Sequence, residues 1–156
     1  MDGPLQTVLE ELRENKEVPD QASLYYLSDL DTAEAEQVRE IWPNLPKDLR
    51  LGLTSLLRKM AEADFTLNFD AVFRIAMEDE SSDVREVAIR GLWEDEDVRL
   101  VPRLVERLKA DESAAVRAAA AESLGRFVLL GELQKIRPKP RRMAYEALVK
   151  AWQGGD

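Results

Sequence analysis

The side chains that most often carry catalysis near neutral pH are missing from this sequence. It has no histidine and no cysteine among its 156 residues. Without an imidazole there is no ready general base, and serine–histidine, cysteine–histidine and histidine–zinc chemistry are all excluded. Without cysteine there is neither a thiolate nor a disulfide framework. Carboxylates, lysines, tyrosines and hydroxyls remain. The densest carboxylate run, Glu94-Asp95-Glu96-Asp97, has the charge for a cation. It lacks the glycine and alternating oxygen ligands of a calcium loop, so helix capping and a solvated turn account for it better. It lies in a stretch from Glu78 to Asp97 with nine acids and two bases, a rim able to steer a basic partner. The opposite run, Lys135-Ile-Arg137-Pro-Lys139-Pro-Arg141-Arg142, holds five bases in eight residues. It reads first as an extended, proline-stiffened connector, and second as a contact for an acidic protein, nucleic acid or anionic lipid. It has no interleaved aromatics on which bases could stack. No glycine-rich phosphate loop is present, and no cofactor is implied.

Whole-chain properties narrow the class further. The net charge is −9, against the basic field that counterion release demands of a nucleic-acid binder. No apolar run reaches the roughly 18 residues that span a bilayer, so membrane insertion is not expected. The amino-terminal Met1-Asp2-Gly3-Pro4 does not read as a secretory signal, and a cytoplasmic location is the default expectation.

The elements that must position any site are helical. Val84, Ala88 and Leu92 recur at i, i+4, i+8, as do Val116, Ala120 and Leu124, and no alternating strand pattern appears. The spacing predicts helices at 4–15, 20–28, 32–42, 46–63, 68–78, 82–93, 98–109, 113–128 and 140–152. Thr32, Asn68, Asp97 and Ser113 are the expected caps. Gly131, Pro138 and Pro140 are read as joints.

The segment from Asp79 to Leu92 aligns without a gap on that from Asp111 to Leu124, at an offset of 32. Val72 and Ala76 of the preceding helix fall opposite Leu104 and Leu108. A third copy stands 35 residues earlier, with Asn44, Leu49, Arg50, Leu53 and Leu57 after a helix carrying Val38 and Ile41. Arg141, Ala144 and Leu148 suggest a degraded fourth. A repeat of this length is the signature of a solenoid, in which each hairpin shields its neighbour's apolar face.

Asp, then Val-Arg, Ala and Leu at these spacings resembles the HEAT repeat family, and in particular the compact bacterial form also found in phycobilin lyases. The resemblance implies an all-α solenoid of antiparallel helix pairs in one domain, 1–156. Residues 1–31 would cap it, 32–63, 68–93 and 98–128 would be repeats, and 129–156 an irregular repeat or cap. It implies a ladder linking neighbouring repeats through Asp79, Arg85, Asp111 and Arg117, with Asn44 and Arg50 as a weaker rung. It also implies a non-catalytic scaffold that binds another protein on its concave face, as a monomer or weak dimer. Ser55, Lys59, Glu86, Arg90, Glu94, Glu122 and Arg126 would line that face, or else form a solvated face of helical ion pairs. Trp93 stands one place off the buried row. It reads first as a cap on the core and second as a binding anchor. The alternatives are a factor assisting bilin attachment and, further off, a nucleic-acid binder.

Overall fold

The structure, a computed structural model, describes residues 3–154. They form helices α1 (Pro4–Asn15), α2 (Gln21–Leu24), α3 (Thr32–Ile41), α4 (Lys47–Ala63), α5 (Asp70–Ala76), α6 (Ser82–Gly91), α7 (Leu100–Ala110), α8 (Ala114–Glu132) and α9 (Pro138–Gln153). Short 3-10 turns follow α2 and α3, and no strand occurs among the described residues. The chain groups into two compact units that divide after Leu92.

In the first unit α4 packs on α6, α5 on α6, and α3 on α5, while α1 lies against α2 and α3. Two successive helix pairs, α3–α4 and α5–α6, thus stack as the repeat predicts. Val84, Ala88 and Leu92 are all fully buried, as are Leu53 and Leu57. Alanine at position 88 lets neighbouring backbones approach closely. Gly91 takes this to its limit. A Cβ there would sit 2.8 Å from the Phe73 ring, which is itself buried and has nowhere to retreat. Gly91→Ala is therefore expected to destabilise the chain by about 1–3 kcal/mol through overpacking, read as a lower urea midpoint.

In the second unit α7, α8 and α9 contact one another. Val116, Ala120, Leu124 and Phe127 make a fully buried face of α8, and Leu100 and Leu104 do the same on α7.

Several boundaries differ from the sequence expectation, each for a local reason. Asp31, not Thr32, caps α3: its carboxylate accepts the Glu34 N–H at 2.8 Å, and Glu34 accepts the Asp31 N–H at 2.9 Å. This reciprocal box is stronger than a lone threonine cap. The expected helix at 20–28 is a single α-turn continued as 3-10. Asn68 acts one place early, accepting the Asp70 N–H beyond the Phe69 cap position. Asp97 likewise closes a turn ahead of α7, accepting the Arg99 N–H. Ser113 caps α8 as expected, accepting the Val116 N–H.

Gly131 is not a joint but lies inside α8. A Cβ there would fall 2.4 Å from the Arg141 side chain, so glycine permits the start of α9 to cross closely. α8 ends instead at Glu132, and Gln134, two residues on, lies in the left-handed region with φ 60°. The Lys135 N–H reaches the Leu130 carbonyl and the Gln134 N–H reaches that of Gly131, a Schellman closure. Pro138 and Pro140 sit in the first turn of α9, where a missing N–H costs nothing. Five of the eight residues of the basic run are thus helix rather than extended connector.

Candidate functional site

The recurring Asp and Arg build the same local device twice. Asp79 Oδ1 accepts the Ser81 N–H at 2.8 Å, and Asp111 Oδ1 accepts the Ser113 N–H at 2.9 Å. Six residues on, Arg85 Nη1 donates to the Asp79 carbonyl at 2.9 Å, and Arg117 Nη1 to the Asp111 carbonyl at 2.8 Å. The acid closes the turn between the paired helices, and the arginine grips the turn from the first coil of the second helix.

One link from hairpin to hairpin is buried in the first unit. Arg50 Nη1 lies 2.5 and 2.6 Å from the two Asp79 carboxylate oxygens, and the Trp42 indole N–H donates to Oδ2 at 2.7 Å. Arg50 Nε also holds the Leu45 carbonyl at 3.0 Å. Arg50 and Asp79 are both almost fully buried. Asn44 is no rung. It is exposed in the 3-10 turn after α3, and the Leu45 carbonyl takes the place it was expected to fill beside Arg50. Trp42 belongs to the link and was not anticipated. Its only sequence signal is an indole at the end of the helix that precedes Arg50.

The expected recognition residues fall in both units. In the first, Ser55 and Lys59 lie on α4, and Glu86 and Arg90 on its packed neighbour α6. Lys59 is exposed, whereas Ser55, Glu86 and Arg90 are half-buried. Arg90 Nε pairs with Glu86 at 3.1 Å, one helical turn away.

In the second unit Trp93, Glu94 and Glu122 are exposed. Trp93 is 45% accessible, so it is not the core cap that its place next to the buried row first suggests. α6 ends at Gly91, Leu92 takes the last inward position, and the chain then turns away. Arg126 is committed to that turn. Its Nη1 donates to the Asp95 carbonyl at 2.6 Å, and its guanidinium carbon lies 4.7 Å from the centre of the Phe127 ring. The acid run serves the same turn. Buried Asp95 accepts the Asp97 N–H at 3.0 Å, and Asp97 pairs with Arg99 at 2.6 Å. Hydrogen bonding to the Asp97 carboxylate, then its charge, with a smaller contribution from Asp95, hold the exposed Arg99 guanidinium above its ordinary pKa.

The second unit also holds a groove that the sequence reading missed. Between α8 and α9, with Leu108 and Lys109 of α7 also in its lining, lies a cleft of about 470 Å³. Alanines 114, 118, 121, 147 and 151 form much of its floor, and Lys109, Arg117 and Lys150 stand among its lining residues. Trp152, at its edge, is 85% accessible. The signal was present as the alanine-rich start of α8 and a tryptophan near the end of α9. No periodicity argument tells that such alanines face an opening rather than a neighbour.

This architecture is that of stacked helical hairpins joined by Asp–Arg turns. Residues 69–153, more than half of the chain, match the family of HEAT repeats. The chain belongs to the HEAT repeat family. The match is to HEAT repeats as a class and does not carry the narrower likeness to phycobilin lyases. Comparison with curated proteins and with solved structures finds no match. No helix among the described residues is long and apolar enough to cross a membrane.

Proposed function

We propose that this protein is a non-catalytic scaffold that captures another protein through exposed and half-buried side chains on the second helices of its pairs and on the turn that follows them. HEAT repeats commonly work as protein-interaction scaffolds, since stacked hairpins present long continuous surfaces.

The observation that carries this reading is the use made of the buried polar groups. Arg50, Asp79, Arg85, Asp95, Asp111, Thr54 and Ser123 are the buried polar side chains of the described residues. Each makes a hydrogen bond inside its own unit, to a turn, a helix or a neighbouring hairpin. These groups hold the fold, so the chemistry left to meet a partner is on the surface. Lys59 and the Glu86–Arg90 pair in the first unit, and Trp93 with Glu94 in the second, are the residues proposed to meet it. An exposed tryptophan beside charged groups is the composition of a binding anchor.

The test is comparative capture from a native lysate, read by mass spectrometry. Arg90→Glu and Trp93→Ala, made separately, should each reduce recovery of the protein that the wild-type chain enriches by about tenfold, the effect of a residue worth roughly 1.4 kcal/mol. Circular dichroism should stay unchanged, because neither side chain is buried. Undiminished recovery with both variants would count against these surfaces.

A further inference from the structure

The groove between α8 and α9 has chemistry unlike the rest of the chain. Two antiparallel helices leave a trough between them, and a trough of this kind is where a further helix seats in a helical stack. Its floor is made of alanines, which let another backbone come close. Trp152 stands at its edge almost fully exposed, an aromatic surface that water covers at a cost. Three cations, Lys109, Arg117 and Lys150, are among its lining residues, and no acid is. This occurs in a protein whose net charge is −9. Arg117 is held by the Asp111 carbonyl, which fixes its charge in place.

We propose that this groove seats an amphipathic helix of a partner protein, with its apolar stripe on the alanine floor and Trp152 and with acidic residues flanking the stripe. The assignment rests on the scaffold reading and names a site within it. Charge selects the occupant. An isologous pairing of two copies through this face would bring the Lys109, Arg117 and Lys150 cluster onto the same basic cluster of the second copy, whereas a Glu- or Asp-flanked helix pairs with all three. The mode is helix-in-groove recognition, with anchors at i, i+3, i+4 and i+7.

The experiment uses the full chain and a dye-labelled synthetic helix of about 18 residues, or five turns, carrying a leucine–alanine stripe between glutamate flanks. A twin peptide has lysine flanks. Anisotropy titrations at low salt should show the glutamate peptide binding at least about tenfold more tightly than the lysine twin, with the preference shrinking as salt screens the charges. Trp152→Ala should weaken the glutamate peptide about tenfold, as loss of a central anchor does. Ala118→Glu, at an exposed position that leaves the core intact, should weaken it at least as much by placing a like charge in the trough.

Equal binding of both peptides, binding of neither, or indifference to both substitutions overturns the assignment. So does sedimentation equilibrium that finds a dimer dissolved by Ala118→Glu, which gives the groove to a second copy. The scaffold reading is tested at Arg90 and Trp93, neither of which lines this groove, so failure of the peptide leaves that reading standing.

Discussion

Asp79→Ala should destabilise the folded chain by about 3–5 kcal/mol, the cost of leaving a buried charge without its counter-ion. Arg50 would stay fixed at the Leu45 carbonyl with its guanidinium desolvated, and Glu80, at 3.3 Å and exposed, is too well hydrated to replace Asp79. The Trp42 indole N–H would lose its acceptor, and the Ser81 N–H would lose the cap of its turn. A loss of that size is a large fraction of the stability of a domain of this length. It should appear as a much lower urea midpoint, with Trp42 emission shifted to the red. The control is the joint replacement Arg50→Met with Asp79→Leu. Removing both charges together should recover most of the loss, since well-packed apolar residues commonly match a buried pair. If the single and double variants are equally unstable, the pair holds nothing beyond its packing and the link between the two hairpins is misassigned.

The second large effect belongs to Phe127. Its ring is fully buried on the same face of α8 as Ala120 and Leu124, and Arg126 covers it while holding the 93–99 turn. Phe127→Ala should cost about 3–5 kcal/mol, combining the lost transfer energy of the ring with the cavity left behind. Phe127→Leu, close in volume, should cost less than about 1.5 kcal/mol. Native-state hydrogen exchange should show lost amide protection across α7, α8 and α9 in the alanine variant, because all three close around the same core. Protection lost only at the carboxyl end of α8 would mean that the three helices do not share one cooperative core.

The rows of buried residues could be read directly from the sequence. Val84, Ala88 and Leu92 and their counterparts Val116, Ala120 and Leu124 are inward because a helical period of 3.6 leaves no other face for them. The recurrence of Asp79–Arg85 and Asp111–Arg117 at one spacing was equally legible, but its local use was not: the resemblance implies a ladder between repeats, whereas each arginine holds the carbonyl of its own turn. Helix ends were less so. Asp31 and Thr32 are adjacent and both able to cap, and the choice depends on a backbone angle set by what precedes them.

What the sequence by itself determined is therefore the unit: a helix pair of about 32 residues, its oily faces, and an acid and an arginine that recur at its turn. All of this is encoded over a few helical turns. Tertiary structure alone decided which charges meet and which aromatics are left outside. Asp79 finds Arg50 and Trp42 across 29 and 37 residues of chain, and Asn44, close to Arg50 in sequence, finds no such role. Arg126, equally polar on paper, turns inward to the Asp95 carbonyl, while Trp93 stays exposed and the alanines of α8 open onto a groove. Burial is a property of the neighbour that arrives, and neither the pairing of distant charges nor the absence of a covering helix leaves a periodic trace along the chain.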